Sequence, residues 1–409
     1  MNTQPDIPVC RPPGRILVTG ATGLLGSNVT AELLAAGAEV VALARSAERA
    51  RRLLPAHERL RILEGDITRI DGFAARLRGV DAIVHTAAWF REYYRPGGND
   101  AAQLQRVNVD AVERLLEAAA DAGVPVMVQI SSATTIGTRA DGKPSDEDTP
   151  PDPGWERNGY RASKVRAELV IQGWSEGDGV RVPVIVPAWM WGPGDAAPGA
   201  SGRVFLAVAR RDLSAVPRVS SQVVDARDVA AAAVRAITSG AHGRRYIVAG
   251  SWQPLPAITR QIAIAAGARA PREVPAPMAM AGATVLELAA QLRRRETAVT
   301  RAGTRVLLEG SRQRLSSQRA QRELGVTFRP LDQTIADEAN WYRGHGMLPA
   351  GPGRPKAGAS IRLRPPGHPG DNGGSSPRQV LPQPRERRGT ARSPGGRGVP
   401  RPGETTGAG

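Results

Sequence analysis

Cysteine is almost absent from this 409-residue chain. Cys10 is the only one, which excludes an intramolecular disulfide and any metal cage built from thiolates. Aromatic residues are scarce as well, at 4%. The segment from Ala350 to Gly409 has no Phe, Tyr or Trp, so it offers no platform on which bases would stack. It holds 11 Pro and 14 Gly. A segment of that composition cannot bury enough apolar surface to offset the entropy of ordering, and residues 349–409 read as a disordered tail. The tail carries 11 Lys and Arg against 3 Asp and Glu, half of the chain's formal charge of +16. It is taken as an accessory basic extension, with no specific nucleic-acid partner. Long apolar runs are missing too. The start, MNTQPDIPVCRPPGR, has no signal-peptide core, and residues 1–13 read as a flexible arm. Residues 275–292 are the most apolar later stretch, but Glu287 and two prolines interrupt them, which argues against a membrane span. A buried or dimer-facing helix is expected there, and a cytoplasmic protein overall.

What the chain does have is 41% apolar residues in a regular rhythm. Short β-rich runs at 15–19, 38–44, 59–66, 81–85, 125–132 and 181–187 alternate with helical stretches at 23–37, 100–123 and 160–174. Strands that read as unbroken apolar runs, each followed by a helix, imply a parallel sheet covered on both faces. The expected fold class is α/β, a Rossmann-like doubly wound parallel sheet over residues 14–190. Residues 191–348 should form a smaller, mostly helical substrate lobe. A helix at 224–240 and a strand at 244–250 are expected, and segments of this kind return to the first sheet. Further helices are expected near 256–267, 277–295, 315–323 and 331–345.

The stretch TGATGLLGS (19–27) joins the first strand to the first helix. Gly20, Gly23 and Gly26 permit a tight turn and close backbone approach, and the helix N-terminus offers amides to a pyrophosphate. At the end of the second strand, where an acid would bond a ribose 2′-hydroxyl, the chain has Arg45 and Ser46. An arginine there pairs with a 2′-phosphate, so NADP(H) is the expected cofactor, with NAD as the other option. Asp66, after the third strand, either accepts from the adenine amino group or caps the next turn.

In NGYRASKVRAE (158–168), Tyr160 and Lys164 lie one helical turn apart on one face. A neighbouring ammonium lowers a phenol's pKa from about 10, making Tyr160 a usable proton donor or acceptor. Ser131 and Ser132 end the fifth strand at the sheet edge where ligands bind. Together these motifs resemble the extended short-chain dehydrogenase/reductases, the NAD-dependent epimerase/dehydratase family. The likeness spans roughly residues 14–348 and rests on TGATGLLG (19–26), GDIT (65–68), DAIVHTAA (81–88), RVNVDAVERLLEAA (106–119), ISSATTIG (130–137), YRASK (160–164), PAWMWGPGD (187–195) and DARDVA (225–230).

The resemblance implies Tyr160 as catalytic acid/base, Lys164 as its partner and as a cofactor ligand, and Ser132 as the active-site hydroxyl, with Ser131 adjacent. It implies a cofactor site of Gly20, Thr22, Gly23, Leu24, Leu25, Gly26, Arg45, Asp66, Ile67, Ala87, Ala88 and Pro187. Asn108 would shape the active-site region, and His85 would be a packed residue without a proton-transfer role. Members that act on nucleotide sugars often place an Arg-Asp pair, the Arg gripping the diphosphate, where this chain has Ser221 followed by Gln222; Arg218 lies three residues upstream of Ser221. Two more positions differ, Val186 for an Arg and Trp191 for a Tyr. Dehydratases carry Asp-Glu where this chain has Ala133 and Thr134. What remains is similar to the dihydroflavonol-reductase-like and hydroxysteroid-dehydrogenase-like branch. It implies reduction of a small molecule, with Trp89, Phe90, Tyr93, Tyr94, Trp189 and Trp191 walling an apolar pocket. The alternatives are an NAD-dependent nucleotide-sugar epimerase and a cofactor-sensing binding protein. Two copies pairing through the helices near 100–122 and 160–174 would make a homodimer, as relatives do.

Overall fold

The computed structural model describes residues 14–90, 100–175, 177, 179–292 and 301–349. The arm at 1–13 and the tail expected at 349–409 lie outside these, apart from residue 349. So do Tyr93 and Tyr94.

Seven parallel strands form the main sheet, in the order β10-β6-β5-β4-β1-β2-β3. They are β1 (Arg15–Thr19), β2 (Glu39–Ala44), β3 (Leu60–Glu64), β4 (Ala82–His85), β5 (Met127–Ile130), β6 (Val184–Pro187) and β10 (Arg245–Val248). Most of their residues are buried, as expected for a sheet covered on both faces. The order reverses between β1 and β4, whose ends are in register at Thr19 and His85. Such a reversal opens a crevice at the carboxyl edge, and the sheet is Rossmann-like.

Helices α1 (Leu24–Ala35), α2 (Ala47–Leu53), α3 (Asp100–Gln105), α4 (Ala111–Asp121) and α5 (Gly159–Gly173) belong to the crossovers. Capping is local and legible. The side chains of Ser46 and Asn158 accept from the backbone N–H of Arg49 and Arg161 at 3.2 and 3.0 Å, starting α2 and α5. The single helix expected at 100–123 is instead two helices joined by a π-turn at Arg106–Asp110. The extra residue per turn swings Asn108 inward.

Beyond β6 the chain builds more strand than expected. β7 (Trp189–Trp191), β9 (Ser220–Asp225) and β11 (Ser251–Pro254) make a three-stranded sheet, and β8 (Ala215–Pro217) pairs with β12 (Arg272–Val274). Of these, β7, β8 and β12 are three residues each, too short for period-two alternation to mark them. Around them lie α6 (Ala200–Ala209), α8 (Leu255–Ala266), α9 (Ala276–Leu292), α10 (Arg301–Gly310) and α12 (Leu331–Gly344). Trp191, Phe205, Ile258, Ile335 and Tyr342 form a second apolar core there. α7 (Ala226–Ser239) and α11 (Gln318–Leu324) pack with the main sheet, whose core takes in Leu315, Leu324 and Val326. Among the described residues, no helix is long and apolar enough to cross a membrane.

A buried carboxylate ties the two cores. Asp225 caps α7, accepting from Arg227 N at 2.8 Å, and takes both Arg227 Nε and Nη2, at 2.9 and 2.6 Å. Thr334 Oγ1 donates to it at 2.8 Å, and Arg227 Nη1 reaches on to Asp337 at 2.7 Å. Removing the guanidinium leaves a buried charge half satisfied. Arg227→Ala should lower unfolding free energy by roughly 2–3 kcal/mol in urea titration, a modest figure for a broken buried pair because part of the arginine meets water. Arg52→Ala, which breaks the exposed pair with Glu48, should leave the midpoint where it is.

Candidate active site

The crevice floor is glycine-built for steric reasons. Gly20 has φ +66°, and a Cβ there would sit 2.8 Å from the backbone of Ala87. A Cβ on Gly26 would lie 2.2 Å from the Gly20 carbonyl oxygen. Gly23 is different. Its φ is −86°, and an added Cβ would meet only an ordinary contact at 3.4 Å. The first intrahelical bond of α1 runs from Ser27 N to Gly23 O at 2.9 Å, so the amides of Leu24, Leu25 and Gly26 have no partner within the helix. A cradle with that helix N-terminus fits a pyrophosphate.

The flanks of the cradle follow from the strand ends. Thr22 sits on the loop, Ala87 packs on the sheet core and Ala88 is exposed beyond it. Arg45 is exposed just past β2, and Pro187 is buried at the end of β6. Asp66 Oδ1 accepts from Thr68 N and Oγ1 at 2.9 and 2.8 Å, so one of its oxygens caps the turn. The Thr68 backbone bond holds its pKa below the usual carboxylate value. Ile67 beside it is buried.

Lys164 is buried, 3% exposed. Its Nζ donates to the Ile130 carbonyl at 2.9 Å and lies 6.0 Å from the centre of the Tyr160 ring. Burial pushes its pKa down to about 8, against the charge of Glu168. The two serines at the end of β5 separate cleanly. Ser131 is buried and its hydroxyl donates to Glu168. Ser132 is partly exposed, and its Oγ accepts from Thr134 Oγ1 and N at 3.0 and 3.3 Å. With those bonds received, its own proton is free to point into the crevice.

Asn108 clamps the loop after β4 to α5. Its Oδ1 accepts from Trp89 N at 2.7 Å, and its Nδ2 donates to Trp89 O and Ser163 Oγ at 3.0 and 2.9 Å. His85 is packed against Thr19 Oγ1 at 2.8 Å, and burial pushes its pKa to about 3, with Lys164 adding to the effect. A histidine held neutral in this way is no proton shuttle at ordinary pH. Phe90 sits edge-on to Tyr160 at 4.8 Å and stays 45% exposed. Trp191 does not wall the crevice. It is fully buried in the second core, with Trp189 packed 4.8 Å from it. Met190 between the two tryptophans packs on the main core, so alternation along β7 sends Trp189 and Trp191 to the second one.

Three helpers escaped the sequence reading. Glu168 repeats the Tyr160–Lys164 spacing once more, which is a usable signal. Arg245 and Gln313 reach the site from far along the chain. Gln313 Nε2 donates to the Ala133 and Ile136 carbonyls. Nothing local marks either residue.

Residues 16–249 match the NAD dependent epimerase/dehydratase family. The chain belongs to that family. It is an NAD(P)-dependent oxidoreductase of the extended short-chain dehydrogenase/reductase type. It is 31% identical over 354 residues to "Sterol demethylase protein B" of Methylococcus capsulatus, covering 81% of this chain and 99% of that one. It is 28% identical to a "Putative dihydroflavonol 4-reductase" of Synechocystis sp., covering 81% and 95%. Among solved structures, that of gox2253 superposes with a TM-score of 0.67 at 29% identity, over 82% of this chain and all of that one.

The glycines give a test that separates cradle from fold. Gly23→Ala should leave the melting temperature unchanged yet weaken nucleotide binding about tenfold or more, read by nicotinamide fluorescence. Gly26→Ala, which forces backbone onto backbone, should lower both.

Proposed function

We propose that the protein is an NADP(H)-dependent oxidoreductase that interconverts a carbonyl and a secondary alcohol on an apolar or aromatic small molecule. One observation carries the reading: a buried ammonium at the end of β5 lies beside the Tyr160 ring, with Ser132 on the same strand end. The family's cofactor would be held by the cradle of Gly20, Thr22, Gly23, Leu24, Leu25 and Gly26 and by the strand-end residues Arg45, Asp66, Ile67, Ala87, Ala88 and Pro187. The nicotinamide, when bound, supplies or takes the hydride.

The chain's residues do the rest. Ser132 donates a hydrogen bond that fixes the carbonyl oxygen. Tyr160 delivers the proton to that oxygen in reduction and takes it back in oxidation. Lys164 makes the phenol readier to ionise, since a nearby positive charge favours phenolate. Thr134 aims Ser132 by occupying its acceptor side. Asn108 holds α5 against the loop that carries Phe90.

Two features support the substrate class. At the place of a diphosphate clamp stands Ser221; Gln222 after it donates to the Gly250 carbonyl at 3.3 Å, while Arg218 lies exposed 3.9 Å from Glu273. No guanidinium of β9 is there to grip a nucleotide sugar bidentately. The absence of a carboxylate at Ala133 and Thr134 argues against dehydration. The relatives' names speak of a sterol and a dihydroflavonol, both ring systems without a diphosphate. For assembly, exposed Leu169 on α5 fits a pairing of two copies through α4 and α5.

The decisive assay is carbonyl reduction followed by nicotinamide absorbance. The kcat/KM with NADPH should exceed that with NADH, and Arg45→Asp should reverse the order. Tyr160→Phe should cost about 10²–10⁴ in kcat while nucleotide still binds. Equal use of both nucleotides would remove the NADP(H) assignment. Net isomerisation of a UDP-sugar without free nucleotide turnover would replace the reductase with an epimerase.

A further inference from the structure

Glu168 follows Lys164 by one turn of α5, as Lys164 follows Tyr160. It is buried, 6% exposed. Its Oε1 accepts from Ser131 Oγ, and its Oε2 accepts from Arg245 Nη1 at 3.3 Å. Ser131 is the residue after Ile130, whose carbonyl takes the Lys164 ammonium. Two adjacent residues at the end of β5 thus receive two successive turns of α5. The strand end that carries Ser132 is bolted to the helix that carries Tyr160.

The charged and titratable neighbours of Lys164 are few. His85, on β4, is held neutral by burial. Tyr160 and Glu168 share α5 with it. β5 offers the neutral Ser131 and Ser132 and the Ile130 carbonyl. Arg245, on β10, stands behind Glu168 and also donates to the Glu147 carbonyl. Beyond it the Glu147 carboxylate faces Arg319 at 3.7 Å. Glu168 is a buried carboxylate one helical turn from Lys164 on the same helix, held by Ser131 next to the carbonyl that takes the ammonium, and its charge offsets part of the cost of burying that ammonium. A carbonyl dipole alone replaces little of the hydration that a buried ammonium gives up.

We propose that Glu168 is a positioning residue, which keeps Lys164 charged and seated at the end of β5 and so keeps Tyr160 able to part with its proton. The proposal rests on the reading of Tyr160 and Lys164 given above. Glu168 touches neither substrate nor cofactor; it acts through the lysine. Arg245 opposes it, sharing the carboxylate and setting how much of its charge the ammonium receives.

The chain has three lysines, Lys143, Lys164 and Lys356, so the full-length protein with carbon-13 lysine gives a spectrum in which Lys164→Met assigns the resonance. In the nucleotide-free wild type, Lys164 should titrate near pH 8. In Glu168→Gln its midpoint should fall by about one pH unit or more, a tenfold drop in the ammonium-to-amine ratio at fixed pH. The alkaline fall of kcat in carbonyl reduction should move down with it. In Arg245→Gln the midpoint should rise, because the opposing cation is gone. A folded Glu168→Gln whose lysine midpoint is unmoved overturns the proposal, even if kcat drops, since a merely structural role predicts that result. Should Glu168→Gln not fold, Arg245→Gln decides by sign: upward supports, unmoved or downward overturns. If Lys164→Met keeps wild-type kcat, the catalytic reading falls instead, and the lysine titration still reports on Glu168 alone.

Discussion

An ammonium ion taken out of water is the constraint around which this site is organised. Lys164 is almost wholly enclosed, and burial pulls its proton affinity down toward the working range. A site that needs that charge has to replace the lost hydration with fixed dipoles and a counter-ion. The Ile130 carbonyl supplies the dipole, and Glu168 supplies the negative charge. Ser131 and Arg245 hydrogen-bond that carboxylate in turn, and Arg245 also donates to the Glu147 carbonyl, while the Glu147 carboxylate faces Arg319. The network reaches from the middle of the sheet to its edge at β10.

The sheet explains why this charge sits at the same edge as the glycine cradle. Parallel strands send all their carboxyl ends the same way, and the strand order reverses between β1 and β4. The glycine loop leaves β1, the Ala87 loop leaves β4, and the backbones touch at Gly20, where a side chain would not fit. β5 then brings Ser132 to the same edge. α5 lies across it because Asn158 caps the helix start, and the ammonium of Lys164 docks on the strand end. Asn108, turned inward by the π-turn, stitches the loop after β4 to that helix.

Much of this is legible along the chain, because the determining physics is local. Apolar runs mark the central strands, glycine spacing marks the cradle, and a four-residue interval puts Tyr160 and Lys164 on one helix face. The order of the strands follows from right-handed crossovers. What stays hidden is set by distance. Short strands such as β8 and β12 gain their shape from partners some 60 residues away, too few residues long to carry a pattern of their own. The π-turn inserts an extra residue without a glycine or proline to announce it. Trp191 looked like a pocket wall because aromatics cluster around it in sequence, yet its side chain fills the second core. Arg245 meets Glu168 across 77 positions, a pairing no window of sequence displays.

The outermost strand next to β6 is β10, and the chain visits β7, α6, β8, β9 and α7 before making it. The hydrophobic interior is then sealed later still, by Leu315, Leu324 and Val326. During synthesis, therefore, the seven-stranded sheet cannot finish ahead of the rest. Until residue 248 has left the ribosome, β6 is an open edge with unpaired amides and carbonyls, the kind of surface that recruits strands from other chains. Truncations before that point should be judged as incomplete sheets, not as smaller proteins.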